Sequence, residues 1–176
     1  MQQSDKSGRR IDIVRGDITK LACDAIVNAA NNSLLGGGGV DGAIHSVAGP
    51  DLLDVCRSLN GCQTGESKIT PGYNLPSKYV IHTVGPIWMG GHKNEHELLA
   101  KSYRSSLRLA RENNIGTIAF PAISTGAYHF PFEEASFIAI NEARRFIAKN
   151  SEPRRIIFVL YKDELFNIYQ KLMADD

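Results

Sequence analysis

The residues best suited to chemistry lie in one stretch: Asn28, Asn31 and Asp41, set around the glycine run Gly36 to Gly39. Glycine carries no Cβ, so its backbone N–H groups can turn toward one point and approach a ligand closely. The run feeds a helix expected to open at Val40-Asp41-Gly42. Its first N–H groups lack intrahelical partners and its dipole is positive there. Such a segment holds phosphate without Lys or Arg, and the two amides and the carboxylate beside it are suited to reading a further group. A second loop, Ser124-Thr125-Gly126-Ala127-Tyr128, joins a strand-like run to a helix-like one. Facing the first loop, it would clamp a diphosphate from both sides. No GK[ST] follows Gly39, and no GxGxxG opens the first strand-to-helix turn. A P-loop nucleotidase and a Rossmann dehydrogenase are therefore disfavoured.

The elements that must position these groups alternate in type. Short strands are expected at Ile11 to Val14, Ala25 to Asn28, Ser67 to Thr70, Tyr79 to Val84, Thr117 to Phe120 and Ile156 to Tyr161. Helices are expected from Val40 to the Gly49-Pro50 stop, then from about Leu52 to Leu59. Further helices should run from Asn94, as a candidate cap, to Glu112, from Pro131 to Asn150, and from Asp163 onward. Strands alternating with helices imply an α/β domain with helices on both faces of a mostly parallel sheet. Ligands bind such sheets at the carboxyl ends of the strands. Gly16-Asp17, Asn28 to Gly39, Ser124 to Tyr128 and Tyr161 all fall at such ends.

The length of 176 residues fits one domain. Residues 1–10 are polar and read as a disordered tail, leaving 11–176 as the single domain. Lys and Arg total 20 against 19 Asp and Glu, so no overall field draws the chain to nucleic acid or membrane. Cys23, Cys56 and Cys62 form no CxxC pair and read as free thiols of a reducing compartment, so a cytoplasmic location is expected. No apolar run approaches the ~20 residues a membrane helix requires. His92 and His96 have a ligand-like spacing, but no further His or Cys pair supports them, so no metal is expected.

Gly16-Asp17-Ile18-Thr19, Asn28-Ala29-Ala30-Asn31, Gly36 to His45, Thr83-Val84-Gly85-Pro86 and Ile123 to Tyr128 together resemble the macrodomain family. The likeness is to its MacroD-type branch and extends from about Ile11 to Met173. It implies a three-layer α/β/α sandwich that binds ADP-ribose and needs no cofactor. It also implies hydrolysis of ADP-ribosyl esters: release of mono-ADP-ribose from Asp and Glu side chains of proteins, and deacetylation of O-acetyl-ADP-ribose. Carried over by motif, Asp17 would accept the adenine amino group, the Ile18 N–H would hold the base, and Tyr161 would stack on it. Gly37, Gly38, Gly39 and Val40, with Ser124, Thr125, Gly126 and Ala127, would hold the diphosphate. Asn28 and Asn31 would bond the distal ribose and Tyr128 would pack beside it. Asp41 would serve as acid/base, with Asn31 orienting the ribose or the attacking water. Gly61 to Glu66 matches a segment typical of the hydrolytic branch. Asn32 stands where Pro or Ser is more frequent, and His129 where Gly often occurs.

Taken singly, these residues have plainer explanations. Asp41 fits an early-turn acid facing a helix dipole, and Asn28 and Asn31 fit residues closing a strand. Their joint order argues for a site. Two other roles compete with hydrolysis: a module that reads ADP-ribose without turnover, and a regulator that binds RNA or a ribonuclease.

Overall fold

The computed structural model describes residues 2–4 and 10–175. Its seven-stranded sheet has the order β1-β2-β7-β6-β3-β5-β4. The five central strands are parallel: β2 (Arg10–Arg15), β7 (Arg155–Leu160), β6 (Thr117–Phe120), β3 (Ala25–Ala29) and β5 (Tyr79–Thr83). Antiparallel strands close both edges, β1 (Gln2–Ser4) against β2 and β4 (Ser67–Pro71) against β5.

Alternation along the strands assigns the two faces. Val27, Ile81, Phe120 and Phe158 point to one side, where they pack with α3 (Glu95–Glu112), α4 (Phe132–Lys149) and α5 (Asp163–Ala174). Ile26, Val80, Ala119 and Ile157 point to the other, under α1 (Gly39–Ala48) and α2 (Pro50–Ser58). Both faces of the parallel strands are thus dry, which explains their near-continuous apolar runs. Each fully buried aliphatic or aromatic side chain contributes about 1.5–3 kcal/mol. The result is the three-layer sandwich with a mostly parallel sheet that the sequence implied.

Two local expectations are corrected. The tail expected over residues 1–10 includes strand β1, and Arg10 opens β2. Without β1, β2 would present an open row of backbone donors and acceptors, and pairing through the backbone needs no apolar side chains. Residues 1 and 5–9 lie outside the described residues. Asn94 does not cap α3 with its side chain; it adopts φ +62°. Glu95 gathers the preceding loop instead. Its carboxylate accepts the backbone N–H groups of Met89 (3.0 Å), Gly91 (2.6 Å) and Lys93. Among the described residues no helix is long and apolar enough to cross a membrane.

Candidate functional site

At the carboxyl ends of the parallel strands lies a cleft of about 630 Å³. Its walls come from the loops after β2, β3, β5, β6 and β7, so residues remote in sequence meet in one place. Every residue assigned to the site from sequence lines it except Asn28.

At one end, Asp17 caps the 3-10 turn Ile18–Lys20. Its Oδ1 accepts from the Thr19 hydroxyl at 2.7 Å and the Thr19 N–H at 2.9 Å. These bonds, side chain first, hold the carboxyl below its ordinary value despite partial desolvation. Oδ2 remains for a ligand. Thr19 thus aims Asp17, a role visible only in the Asp-x-Thr spacing. Tyr161 stands at the same rim, 76% exposed, so it is not part of the core.

The glycine loop forms the floor. Asn31 builds the turn that leads into it: Nδ2 donates to the Gly36 carbonyl at 2.9 Å, and Oδ1 accepts from the Ser33 hydroxyl at 2.6 Å. Gly39 has φ +58°, where a side chain would be strained, and it starts α1. A Cβ on Gly37 would lie 3.1 Å from Asp41 Oδ2 and 3.4 Å from Asn31 Nδ2, so both side chains converge on its bare Cα. A Cβ on Gly42 would meet the Gly37 carbonyl at 2.6 Å; the loop can fold back on its helix only over a glycine.

The second loop completes the clamp. Ser124 takes φ +66°, and its buried Oγ has no protein partner. The hydroxyl lies buried against Gly85, where a Cβ would come within 2.2 Å of it, so what the strained residue turns to the cleft is its backbone. The turn is closed by the His129 N–H to the Gly126 carbonyl (3.0 Å) and the Phe130 N–H to the Ser124 carbonyl (2.9 Å). His129 itself sits at φ +59°, which explains why this position suits Gly. Asn32 ties the first loop to its neighbour by donating to the Cys62 carbonyl at 3.0 Å and to Thr64 Oγ1 at 3.3 Å.

Asn28 is the correction within the site. It is fully buried and does not reach the cleft. Its Nδ2 donates to Asp41 Oδ1 at 2.8 Å and lies 3.1 Å from His82 Nδ1. The parallel pairing of β3 with β5 sets Asn28 directly beside His82, on the face covered by α1, which carries Asp41. Asn28 therefore braces the carboxylate from behind, away from the cleft where the resemblance had set it beside the ribose. An amide proton pointed at His82 Nδ1 requires an acceptor there, so the ring carries its proton on Nε2, 2.9 Å from Thr70 Oγ1. Burial, and secondly His45, push His82 down to about 3, so the ring is neutral. His45 Nε2 lies 3.4 Å from Asp41 Oδ1.

Burial pushes the Cys56 thiol up to about 11, with Asp41 adding to the shift. It also raises Cys62, so neither is poised as a thiolate nucleophile. His96 is engaged by Glu134 at 2.8 Å. No cluster of His, Cys, Asp and Glu suited to a metal occurs among the described residues.

Comparison with known proteins fits this geometry. The Macro domain family model matches residues 27–139. The chain belongs to the macrodomain family. This macrodomain is 59% identical over 168 residues to the human ADP-ribose glycohydrolase MACROD2, covering 94% of the chain and 40% of that longer protein. The Oceanobacillus iheyensis macrodomain with ADP superimposes with a TM-score of 0.94 at 43% identity, over 99% of this chain and 94% of that one. The Trypanosoma brucei macrodomain in complex with ADP-ribose gives 0.88 at 46% identity, over 93% and 68% of the two chains.

Proposed function

We propose that this macrodomain binds ADP-ribose and hydrolyses ADP-ribosyl esters, releasing mono-ADP-ribose from Asp and Glu side chains of proteins and acetate from O-acetyl-ADP-ribose. The observation that carries this reading is the convergence of Asp41 Oδ2 and Asn31 Nδ2 on the floor of a diphosphate-shaped cleft. The name of the human relative and the ligand of the trypanosome structure support it.

In this reading adenine lies between Asp17 and Tyr161. The diphosphate takes the amides of Gly37 to Val40 and the Ser124 to Ala127 loop. The distal ribose reaches Asn31, Tyr128 and Asp41. Asp41 holds one oxygen on Asn28 and offers the other to a water beside the anomeric ester. The water's proton passes to that oxygen or to a phosphate oxygen of the substrate. Positioning a water and a charged group in a closed cleft supplies most of the rate in such chemistry.

Mass spectrometry of a glutamate-linked mono-ADP-ribosylated protein tests this. Wild type should release ADP-ribose, and a folded Asn31→Ala/Asp41→Ala variant should not. Binding of ADP-ribose without any release would overturn the carboxylate-linked substrate and leave a reader or a hydrolase of another acyl ester.

A further inference from the structure

A second cavity, about 260 Å³, adjoins the first and shares Gly85 and Tyr128 with it. Its remaining walls are Asn32 and Thr64 on one side and Pro86, Ile87, Met89, Lys93, Glu95 and Leu98 on the other. It meets the main cleft at Tyr128 and Gly85, includes Asn32, the chain neighbour of Asn31, and shares none of Asp17, Ile18 or Tyr161. In the proposed reading the distal ribose lies against Tyr128, so a group attached to it leaves the main cleft at this end.

The loop that walls the cavity is tied down by hydrogen bonds. Glu95 pins the loop between β5 and α3 by its bonds to Met89, Gly91 and Lys93, and the Trp88 N–H donates to the Tyr128 carbonyl at 2.9 Å. That rigid loop presents two large apolar side chains to water, Ile87 at 55% and Met89 at 59% exposure. The donors left for a ligand are few. The amides of Met89, Gly91 and Lys93 are taken by Glu95. The Thr64 hydroxyl accepts from Asn32 and keeps its own proton to give outward. The exposed Lys93 ammonium has no carboxylate partner among the described residues. Glu95 also lines the cavity, but its carboxylate is taken up by three backbone amides; what is left to a ligand is one hydroxyl, one ammonium and an apolar wall, which suits an acidic chain better than a cationic one.

We propose that this cavity is the acceptor subsite, which receives the acidic polypeptide segment around the ADP-ribosylated carboxylate. The assignment rests on the proposed ADP-ribosyl reading of the main cleft. Ile87 and Met89 cover apolar atoms of the acceptor chain, Thr64 meets its carboxylate oxygens, and Lys93 faces an acidic neighbour. Free ADP-ribose and O-acetyl-ADP-ribose end before the cavity and do not use it.

The test compares acceptors of different size. Lys93→Glu and Ile87→Ser/Met89→Ser alter exposed positions, and an unchanged Tm confirms folding. For a mono-ADP-ribosylated acidic protein, Lys93→Glu should raise KM roughly five-fold, and the double variant roughly ten-fold. In both, kcat should change little, and turnover of O-acetyl-ADP-ribose should stay at the wild-type value. Equal losses on both substrates, or no loss on either, would overturn the subsite. A binding measurement separates this from failure of the hydrolase reading. A non-hydrolysable ADP-ribosylated acidic peptide should bind wild type more tightly than free ADP-ribose, and that preference should vanish in both variants. Equal affinities in wild type sink the subsite, whether or not any substrate turns over.

Discussion

Lowering the pH from 7.5 to 5.0 should remove about 2 kcal/mol of folding stability through His82 alone. The ring is fully buried and held near 3, first by desolvation and then by His45, while in the unfolded chain it titrates near its ordinary 6.5. A base depressed in the folded state makes its full contribution above 6.5, where neither state carries the proton. As the pH falls below 6.5 the unfolded chain takes up a proton that the folded chain refuses, and stability drops until the pH passes the folded value. Each unit costs about 1.4 kcal/mol, so the 1.5 units between 6.5 and 5.0 give about 2 kcal/mol. A domain of ordinary stability holds only about 5–15 kcal/mol, so the loss is easily measured. The assay is urea unfolding of wild type and His82→Gln at pH 7.5, 6.0 and 5.0. The variant will be weaker throughout, because it disturbs a buried network, but its stability should fall less steeply below 6.5. The other histidines are common to both proteins and cancel. Parallel slopes would refute the reasoning, since they would mean that His82 takes a proton in the folded state. Such a proton would sit on Nδ1, turn an acceptor into a donor, and expel the Asn28 amide from between His82 and Asp41.

Gly85→Ala should damage both stability and ligand affinity, because its Cβ would stand 2.2 Å from Ser124 Oγ and 2.6 Å from Ile123 Cγ2. Overpacking of this kind costs about 1–3 kcal/mol. The displaced Ser124 loop should weaken ADP-ribose binding by at least about ten-fold in calorimetry; wild-type affinity would mean that the loop takes no part in binding. Glu95 should make the loop between β5 and α3 acid-labile. Burial opposes its charge, but the amides of Met89, Gly91 and Lys93 outweigh this and bring its carboxyl from 4.5 down to about 2. Its contribution is therefore full above 4.5 and is lost as the pH falls toward 2. Trp88, the single tryptophan, lies in that loop, so its fluorescence should shift over this window in wild type and much less in Glu95→Gln.

What could be read along the chain, and what could not, divides by the kind of contact. The glycine run, Asp17, Asn31 and Asp41 act through local geometry: a cap, a turn, a helix start. Their types and spacing carried that information, and the strand and helix alternation placed their loops at one end of the sheet. Asn28 misled for the opposite reason. Its partner His82 lies on another strand, and only the parallel register of β3 on β5 brings the two side by side. A sequence reading sees an Asn at a strand end and offers it to solvent or ligand; it has no access to the face on which that residue falls. Glu95 was hidden for another reason: its partners are local, at Met89, Gly91 and Lys93, but they sit in a loop without a repeating pattern and beside Asn94, the better-known capping residue.

This division bears on how the site tolerates change. The proposed phosphate clamp is made of backbone amides and glycines whose missing Cβ atoms leave room for Asp41, Asn31 and the Gly37 carbonyl. Neither loop carries a Lys or Arg; the cation that lines the cleft is Lys162, next to Tyr161. Substitutions in the two loops therefore act through shape. The carboxylate, in contrast, is fixed by a line of buried polar partners in which each hydrogen bond dictates the direction of the next, from Thr70 through His82 and Asn28 to Asp41. Among its buried side-chain atoms only the Asn28 Oδ1 lacks a protein partner, so the direction of each remaining bond depends on its neighbours. A change at its far end, Thr70→Val, removes the oxygen that His82 Nε2–H requires and frees the ring to adopt the other tautomer, with a proton facing Asn28. The prediction is a loss of kcat with ADP-ribose affinity retained, from a residue that touches neither ligand nor Asp41. Unchanged kcat in a folded Thr70→Val protein would show that Asn28 holds Asp41 without help from behind.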